Sequence, residues 1–419
     1  MQYRLEWMRR HVRGLARARK TPIRRTGILN EVNPSIRGFA RSSLGMTRVG
    51  ALSQVGLTAL RDIACWGGRK YAWSAAVAGA IEETRTVYQD LGTCTLKSAE
   101  TVSMAMIVGP EPDWAERLVS LLRHKGDPWN WQNAEMLTLD CGIVACFCVL
   151  HRNGSPFANV MTVTHKGVGI FGHVYTKPED RRKGAAALLV EEVITDFRAR
   201  NGRALFLGTG FNGPPFHLYR RFGFEGVEPG SGCMAWYNGT KEEFEARHFA
   251  PASTTIKPVE WRHWPASCPL FIGAYPGAVR CAPLRLFGRM SAEGPLLPVV
   301  RAEESRRQTG EPPRSFVLES QTTDAVVGLA AWDWHPLWPH TCLVDVFCHP
   351  DFWQEAPALL ASLSLPDADR HIAYADPECS AKAEVLRTGG FRHTATLPER
   401  LPVDRIKTRF TDVLVFEKR

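Results

Sequence analysis

Between Pro178 and Ala186 the sequence reads PEDRRKGAA. Three basic side chains and a glycine stand between an apolar, strand-like run and an alanine-rich run of helical pattern. The first N–H groups of a helix have no acceptor within it. The helix dipole adds about half a positive charge at the same end. Gly184 lets a ligand approach the backbone closely, and Arg181, Arg182 and Lys183 add full charges. Such a turn suits a pyrophosphate group. It matches neither the P-loop pattern nor the dinucleotide-binding glycine pattern. The competing reading is an ordinary helix start with solvated basic residues. Positive side chains there cost roughly 0.3–1 kcal/mol each, so three in succession favour an anionic partner.

The elements that must position this turn follow from pattern. Residues 101–108, TVSMAMIV, read as a strand. Trp114, Leu118, Leu121 and Leu122 fall at helical spacing, and Gly126 stops that helix. GIVACFCVL, FANVMTVTHKG and VGIFGHVYT are further strands, the first two joined by an Asn-Gly turn. A helix of about four turns follows in GAAALLVEEVITDFRAR. Then come the strand ALFLGTG, the short Pro-initiated helix PPFHLYRRF and the strand MAWY. Antiparallel strands leading into strand–helix–strand–helix–strand predict a mixed α/β sheet.

Two motifs in this order resemble the GNAT N-acetyltransferase superfamily. The first is its acyl-CoA loop, Arg/Gln-x-x-Gly-x-Gly/Ala, met by Arg181, Gly184 and Ala186; Arg182 stands where the family often has Gly. The second is met by Asn212, Leu218, Tyr219, Gly223 and Phe224, with Pro215 in place of an Ala. The strong resemblance covers about a third of the chain, within residues 100–240. It implies acetyl transfer from acetyl-CoA to a primary amine. It places the CoA pyrophosphate on the backbone of Arg181, Arg182, Lys183, Gly184, Ala185 and Ala186, with Asn212 in the cofactor set. The pantetheine arm would run along Val174, Tyr175 and Thr176, where two parallel strands part. Tyr219 would protonate the leaving thiolate. His173, on the strand before the loop, is the candidate base, since imidazole titrates near neutrality; a buried structural histidine is the equal alternative. Strand alternation sets His173 on the face of Tyr175 unless a bulge intervenes. Trp129 and Trp131 fall in the connection that would wall the acceptor site, or in the core.

The chain from about 252 onward repeats the element order. Aligning Pro350 with Pro178 sets Trp353 at Arg181 and Ala356 at Gly184. Aligning Gly390-Phe391 with Gly223-Phe224 sets Leu386 at Tyr219 and Cys379 at Asn212. The expected architecture is therefore two GNAT-like domains in tandem, residues 98–245 active and 246–419 degenerate. A basic extension, residues 1–97, precedes them, with one or two helices between 51 and 97 at most.

Composition limits the partners. The 419 residues carry a net charge of +9, yet residues 1–50 alone hold twelve Arg and Lys against Glu6 and Glu31, leaving the rest at −1. A nucleic-acid footprint belongs on a folded face, so DNA or RNA is not expected for the body. The tail reads as a basic extension or a targeting segment. No apolar run reaches the ~18 residues of a membrane span. Eleven cysteines without a C-x-x-C motif suit a reducing, cytoplasmic setting. His335, His340, His349, Cys342 and Cys348 match no standard zinc spacing, and no metal is expected. The acceptor, a small amine or a protein lysine, stays open. So does a non-catalytic acyl-CoA sensor or scaffold.

Overall fold

A computed structural model describes residues 87–419; the tail and the helices sought before residue 87 lie outside them. The first eight strands form one sheet: β1 (Tyr88–Thr95), β2 (Thr101–Val108), β3 (Val144–Arg152), β4 (Ser155–His165), β5 (Val168–Thr176), β6 (Ala204–Gly208), β7 (Glu225–Gly226) and β8 (Cys233–Tyr237). Their spatial order is β1-β2-β3-β4-β5-β6-β8-β7. Every neighbouring pair is antiparallel except β5 and β6.

Residues 88–95, assigned from sequence to the extension, are instead strand β1. A register shift between Asp90 and Thr93 and a left-handed Gly92 break the alternation that would have marked the strand. The connection holding Trp129 and Trp131 is a helix, α2 (Trp129–Thr138), which follows α1 (Pro112–Leu122) and has only a weak apolar stripe, so its pattern does not show in the sequence.

The long helix α3 (Ala185–Ala199) buries Ala185, Leu189, Val190, Val193, Ile194 and Phe197, one stripe at i, i+4 spacing. Each large apolar side chain so buried contributes about 1.5–3 kcal/mol. The chain leaves α3 through Asn201, left-handed at φ +56°, and Gly202. With α4 (Pro214–Arg220), α3 covers one face of the sheet, against Met104, Cys146, Cys148, Phe171 and Trp236. Helix α5 (Lys241–His248) begins on a Thr240–Glu243 capping box.

A second sheet is built from β9 (Thr254–Pro258), β12 (Ser315–Ser320), β13 (Val326–Trp334), β14 (Thr341–Cys348), β15 (Arg370–Ala375), β16 (Arg392–Pro402) and β17 (Phe410–Lys418). Its order is β16-β17-β15-β14-β13-β12-β9, and its single parallel pair is β14 with β15. Between β9 and β12 lie α6 (His263–Ala266), α7 (Cys268–Ile272), the hairpin β10 (Val279–Cys281) and β11 (Leu286–Phe287), and α8 (Glu293–Thr309). Helix α8 carries an internal Pro298, which hid it from pattern reading. Helices α9 (Ala356–Ala361) and α10 (Ser380–Thr388) pack on the far face of this sheet.

The two sheets share a core. Ile107, Phe147, Met161 and Phe206 from the first cluster with Trp264, Phe271, Leu296 and Leu297 and with Val317, Leu329 and Phe347 of the second. The inner face of the first sheet is thus covered by the C-terminal half. Among the described residues no helix is long and apolar enough to cross a membrane.

The turn after β14 differs from the turn after β5. A 3-10 segment over Pro350–Glu355 runs straight into α9, and Ala356 is right-handed at φ −61°. Gly184, at the corresponding place before α3, is left-handed at φ +89°.

Candidate active site

The turn before α3 is held from beneath by Asp180. Its carboxylate accepts hydrogen bonds from the Arg152 guanidinium at 3.1 and 2.8 Å and from Lys183 Nζ at 2.8 Å. Arg152 is in turn clamped by Glu100 at 2.6 and 2.9 Å. These cationic hydrogen bonds, Arg152 first, hold the Asp180 carboxyl down to about 2. Arg181 is turned back, its Nε donating to the Thr176 carbonyl at 3.1 Å.

Two left-handed residues shape the backbone, Arg182 at φ +67° and Gly184 at φ +89°. Only glycine adopts that conformation without cost. Arg182 therefore sits strained where the GNAT pattern favours glycine. Through this turn the N–H groups of Arg182, Lys183, Gly184, Ala185 and Ala186 find no acceptor among the described residues; the first bonds back to the turn come from Ala187 and Leu188, both to the Gly184 carbonyl. The Lys183 carbonyl is fixed by the Lys97 N–H at 2.9 Å.

These groups border a cavity of about 720 Å³. Arg181, Arg182, Lys183, Gly184, Ala185 and Ala186 line one end, and Val174, Thr176, Leu218, Tyr219 and Phe222 the other. Thr95 and Lys97 also line it, from β1 and the turn after it rather than from an extension outside the domain. The cavity opens where β5 and β6 part, since their pairing stops at Ile170–Phe206.

Tyr219 is nearly buried and meets Phe171 edge-on at 5.5 Å between ring centroids. Burial, then the charge of Glu293, pushes its hydroxyl well above the ordinary value of 10. It stays protonated through neutral pH, as a proton donor must.

The other expected residues lie elsewhere. Asn212, left-handed at φ +57°, is not among the residues lining this cavity. Tyr175 points to the opposite face, stacked on His124 at 3.9 Å. It borders a second cavity, of about 560 Å³, with Arg117, Asn153 and Lys177. His173 sits in a bulge: Met161 pairs with Gly172 and Asn159 with Tyr175, so Val160 faces two residues. His173 takes φ +49°, and its carbonyl accepts from Asn159 Nδ2 at 3.0 Å. The ring is buried with both nitrogens unpartnered and meets Trp129 edge-on at 5.4 Å. Burial, reinforced by Lys125 and His124, holds its pKa well below 6.5. Trp131 stacks on Trp261 at 4.9 Å, a core contact between the two halves.

One group near this centre was not foreseen. Glu293, the first residue of α8, brings Oε1 to 3.3 Å from the point a Cβ on Gly172 would occupy. Burial pushes its carboxyl up to about 7, opposed by Lys125. No motif announces it, because it lies 74 residues beyond Tyr219 on an element of weak pattern. Among the described residues no group of three or more His, Cys, Asp or Glu side chains is gathered as metal ligands. His335 instead stacks on Trp338 at 4.0 Å.

Residues 134–229 match the family model described as FR47-like protein. The match spans β3 to β7 and includes the turn at Arg181–Ala186 and Tyr219, and it supports the GNAT resemblance for that stretch. No curated protein matches the chain. Similar solved structures include a GNAT-family acetyltransferase from Bacillus anthracis (17% identity over 40% of this chain and 96% of that one, TM-score 0.28). Others are a ribosomal-protein-alanine N-acetyltransferase from Brucella melitensis (18%, 39% and 98%, 0.30) and the paiA N-acetyltransferase from Thermoplasma acidophilum in complex with coenzyme A (13%, 32% and 98%, 0.25). Likeness at this level says nothing of the substrates of this chain.

Proposed function

We propose that the protein is an N-acetyltransferase that moves an acetyl group from acetyl-CoA to a primary amine by direct attack in a ternary complex. The observation that carries this reading is the run of unpartnered N–H groups from Arg182 to Ala186, bordering a cavity that reaches Tyr219 at the parted strands. Oriented N–H groups at a helix start suit the CoA pyrophosphate. The open edge of β5 at Val174 and Thr176 suits the amide-rich pantetheine arm, which would add as a strand does. The FR47-like match over the same residues supports it.

The neutral amine attacks the thioester carbonyl, the C–N bond forms and the C–S bond breaks. Tyr219 gives its proton to the departing thiolate and regains one from solvent. Holding both reactants in one site supplies much of the acceleration. The amine must also lose a proton, and His173 is the candidate base that the sequence offers. A ring whose charged form is so disfavoured by burial is a weak proton acceptor.

The C-terminal half reads as a second copy whose phosphate turn has closed. Its strand order repeats the first, and Gly390 at φ +86° matches Gly223 at φ +89°. Trp353, Ala356 and Leu386 stand where Arg181, Gly184 and Tyr219 act. A small amine or a protein lysine remains the acceptor class, and buried thiols such as Cys148 suit a cytoplasmic setting.

Titration calorimetry of acetyl-CoA into the full chain tests the reading, with Gly184→Glu as control. Binding to the wild type and its loss in the variant are expected, with an unchanged circular dichroism spectrum. A wild type that ignores acetyl-CoA would overturn the proposal. Binding without thiol release on any amine would leave an acyl-CoA sensor.

A further inference from the structure

We propose that Glu293, carried by the C-terminal half, is the group that takes the proton from the acceptor amine, so that the two halves complete one catalytic centre. The inference rests on the acetyltransferase reading above. Its geometry begins at Gly172. This residue stands two positions beyond the last β5–β6 pair and immediately before the bulge at His173. With no side chain of its own, Gly172 leaves room into which Glu293 Oε1 reaches, 3.3 Å from the Cβ position. The carboxylate is thus placed against β5 just past its last pair with β6, and its charge reaches Tyr219, which lines the cofactor cavity.

The backbone beneath Glu293 is held firmly. Its carbonyl accepts from Trp264 Nε1 at 2.8 Å, and its N–H donates to Ser291 Oγ at 3.3 Å. Trp129 packs beside Gly294. The side chain, by contrast, has no hydrogen bond and no ion pair among the described residues. An acidic residue in the first turn of a helix ordinarily gains by facing water or capping N–H groups. This one is half-buried and set against Gly172 without a partner, an arrangement that costs stability and is typical of working sites.

The charged and titratable groups around it come from every neighbouring element. Lys125 lies after α1, Cys268 on α7 and Tyr219 on α4, and each is coupled electrostatically to Glu293. His173 and His124 adjoin Lys125. The balance leaves a carboxyl near 7, able to accept a proton from an ammonium group and return it to solvent. In the step, the N–H bond of the ammonium breaks, its electron pair becomes the attacking lone pair, and Glu293 becomes the neutral acid, which returns that proton to solvent; the adduct nitrogen sheds its second proton to solvent as the C–S bond breaks, while Tyr219 protonates the thiolate and regains a proton from solvent. Water can replace the amine in slow hydrolysis, Glu293 then taking a proton from the water as its oxygen bonds to the thioester carbon.

The test compares wild type, Glu293→Gln and Glu293→Asp by acetyl-CoA binding and by thiol release with water, glycine, spermidine, glucosamine and a lysine peptide. Glu293→Gln is expected to bind acetyl-CoA as the wild type does and to lose ~100-fold or more in turnover. It should also lose the acidic limb near pH 7 from the profile of kcat/KM. Glu293→Asp should keep that limb at reduced rate. Full turnover and an unchanged limb in Glu293→Gln would overturn the assignment while leaving the acetyltransferase reading intact. Wild type that binds acetyl-CoA but releases no thiol with any of these would overturn the base role. Wild type that does not bind acetyl-CoA would overturn the reading beneath it.

Discussion

At the residue scale the site is a set of groups forced away from their ordinary proton affinities. Tyr219 is pushed up by burial and by Glu293, which keeps it protonated, as the proposed donor role requires. Tyr219→Phe should slow thiol release by ~10²-fold or more while calorimetry finds acetyl-CoA affinity unchanged; wild-type turnover would remove Tyr219 from the mechanism. Glu293 has a stability signature as well. Its carboxyl titrates near 7 when folded and near 4.3 when unfolded, so between these values the native state binds more protons. Stability then falls as pH rises from about 4 to 7, and the full penalty stands above 7. Glu293→Gln should therefore melt higher than the wild type at pH 8 and show no such gain at pH 4. His173, with a buried unpartnered ring, illustrates the limit of reading a residue by type. Histidine suggested proton transfer near neutrality, and only the bulge and its burial reveal a ring held neutral.

At the element scale the decisive feature is how the turn before α3 is anchored. The sequence pattern identified the turn, its glycine and its charges. It did not identify Asp180, which lies inside the same motif yet carries the fold of the loop through Arg152 and Lys183. Asp180→Asn should weaken these bonds, cost about 1–3 kcal/mol and lower acetyl-CoA affinity, seen as a lower melting temperature and a weaker calorimetric Kd. Because the Asp180 carboxyl is depressed to about 2, its contribution is present above about pH 4 and fades as pH falls toward 2. An unchanged acid denaturation profile in the variant would show the anchor to be slack. The same scale explains the missed elements. Strand β1 lost its alternation to a bulge, and α8 lost its stripe to Pro298 and to burial on more than one side.

At the scale of the whole molecule the C-terminal half is a layer of the first sheet's core. Trp264, Phe271, Leu296 and Leu297 cover the inner face carrying Ile107, Phe147, Met161 and Phe206. Removing them would expose a continuous apolar surface of the kind that aggregates. A chain ending at residue 250 should therefore be insoluble or, if recovered, inactive; a monomeric, active fragment by size-exclusion chromatography and thiol release would show the second half to be dispensable.

The sequence by itself determined what local order can carry. It announced the strand-to-helix turn at Arg181–Ala186, the tyrosine on the short helix before Gly223, the mixed sheet and the repeated element order, because each is written within a few residues by periodicity, turn chemistry or motif spacing. Only the tertiary structure decided which side chains meet across the chain. Alternation along β5 could not say that a bulge turns His173 and Gly172 toward the same face. Nothing near residue 293 could say that its carboxylate would arrive over Gly172, since that contact depends on how the two sheets pack around a shared core.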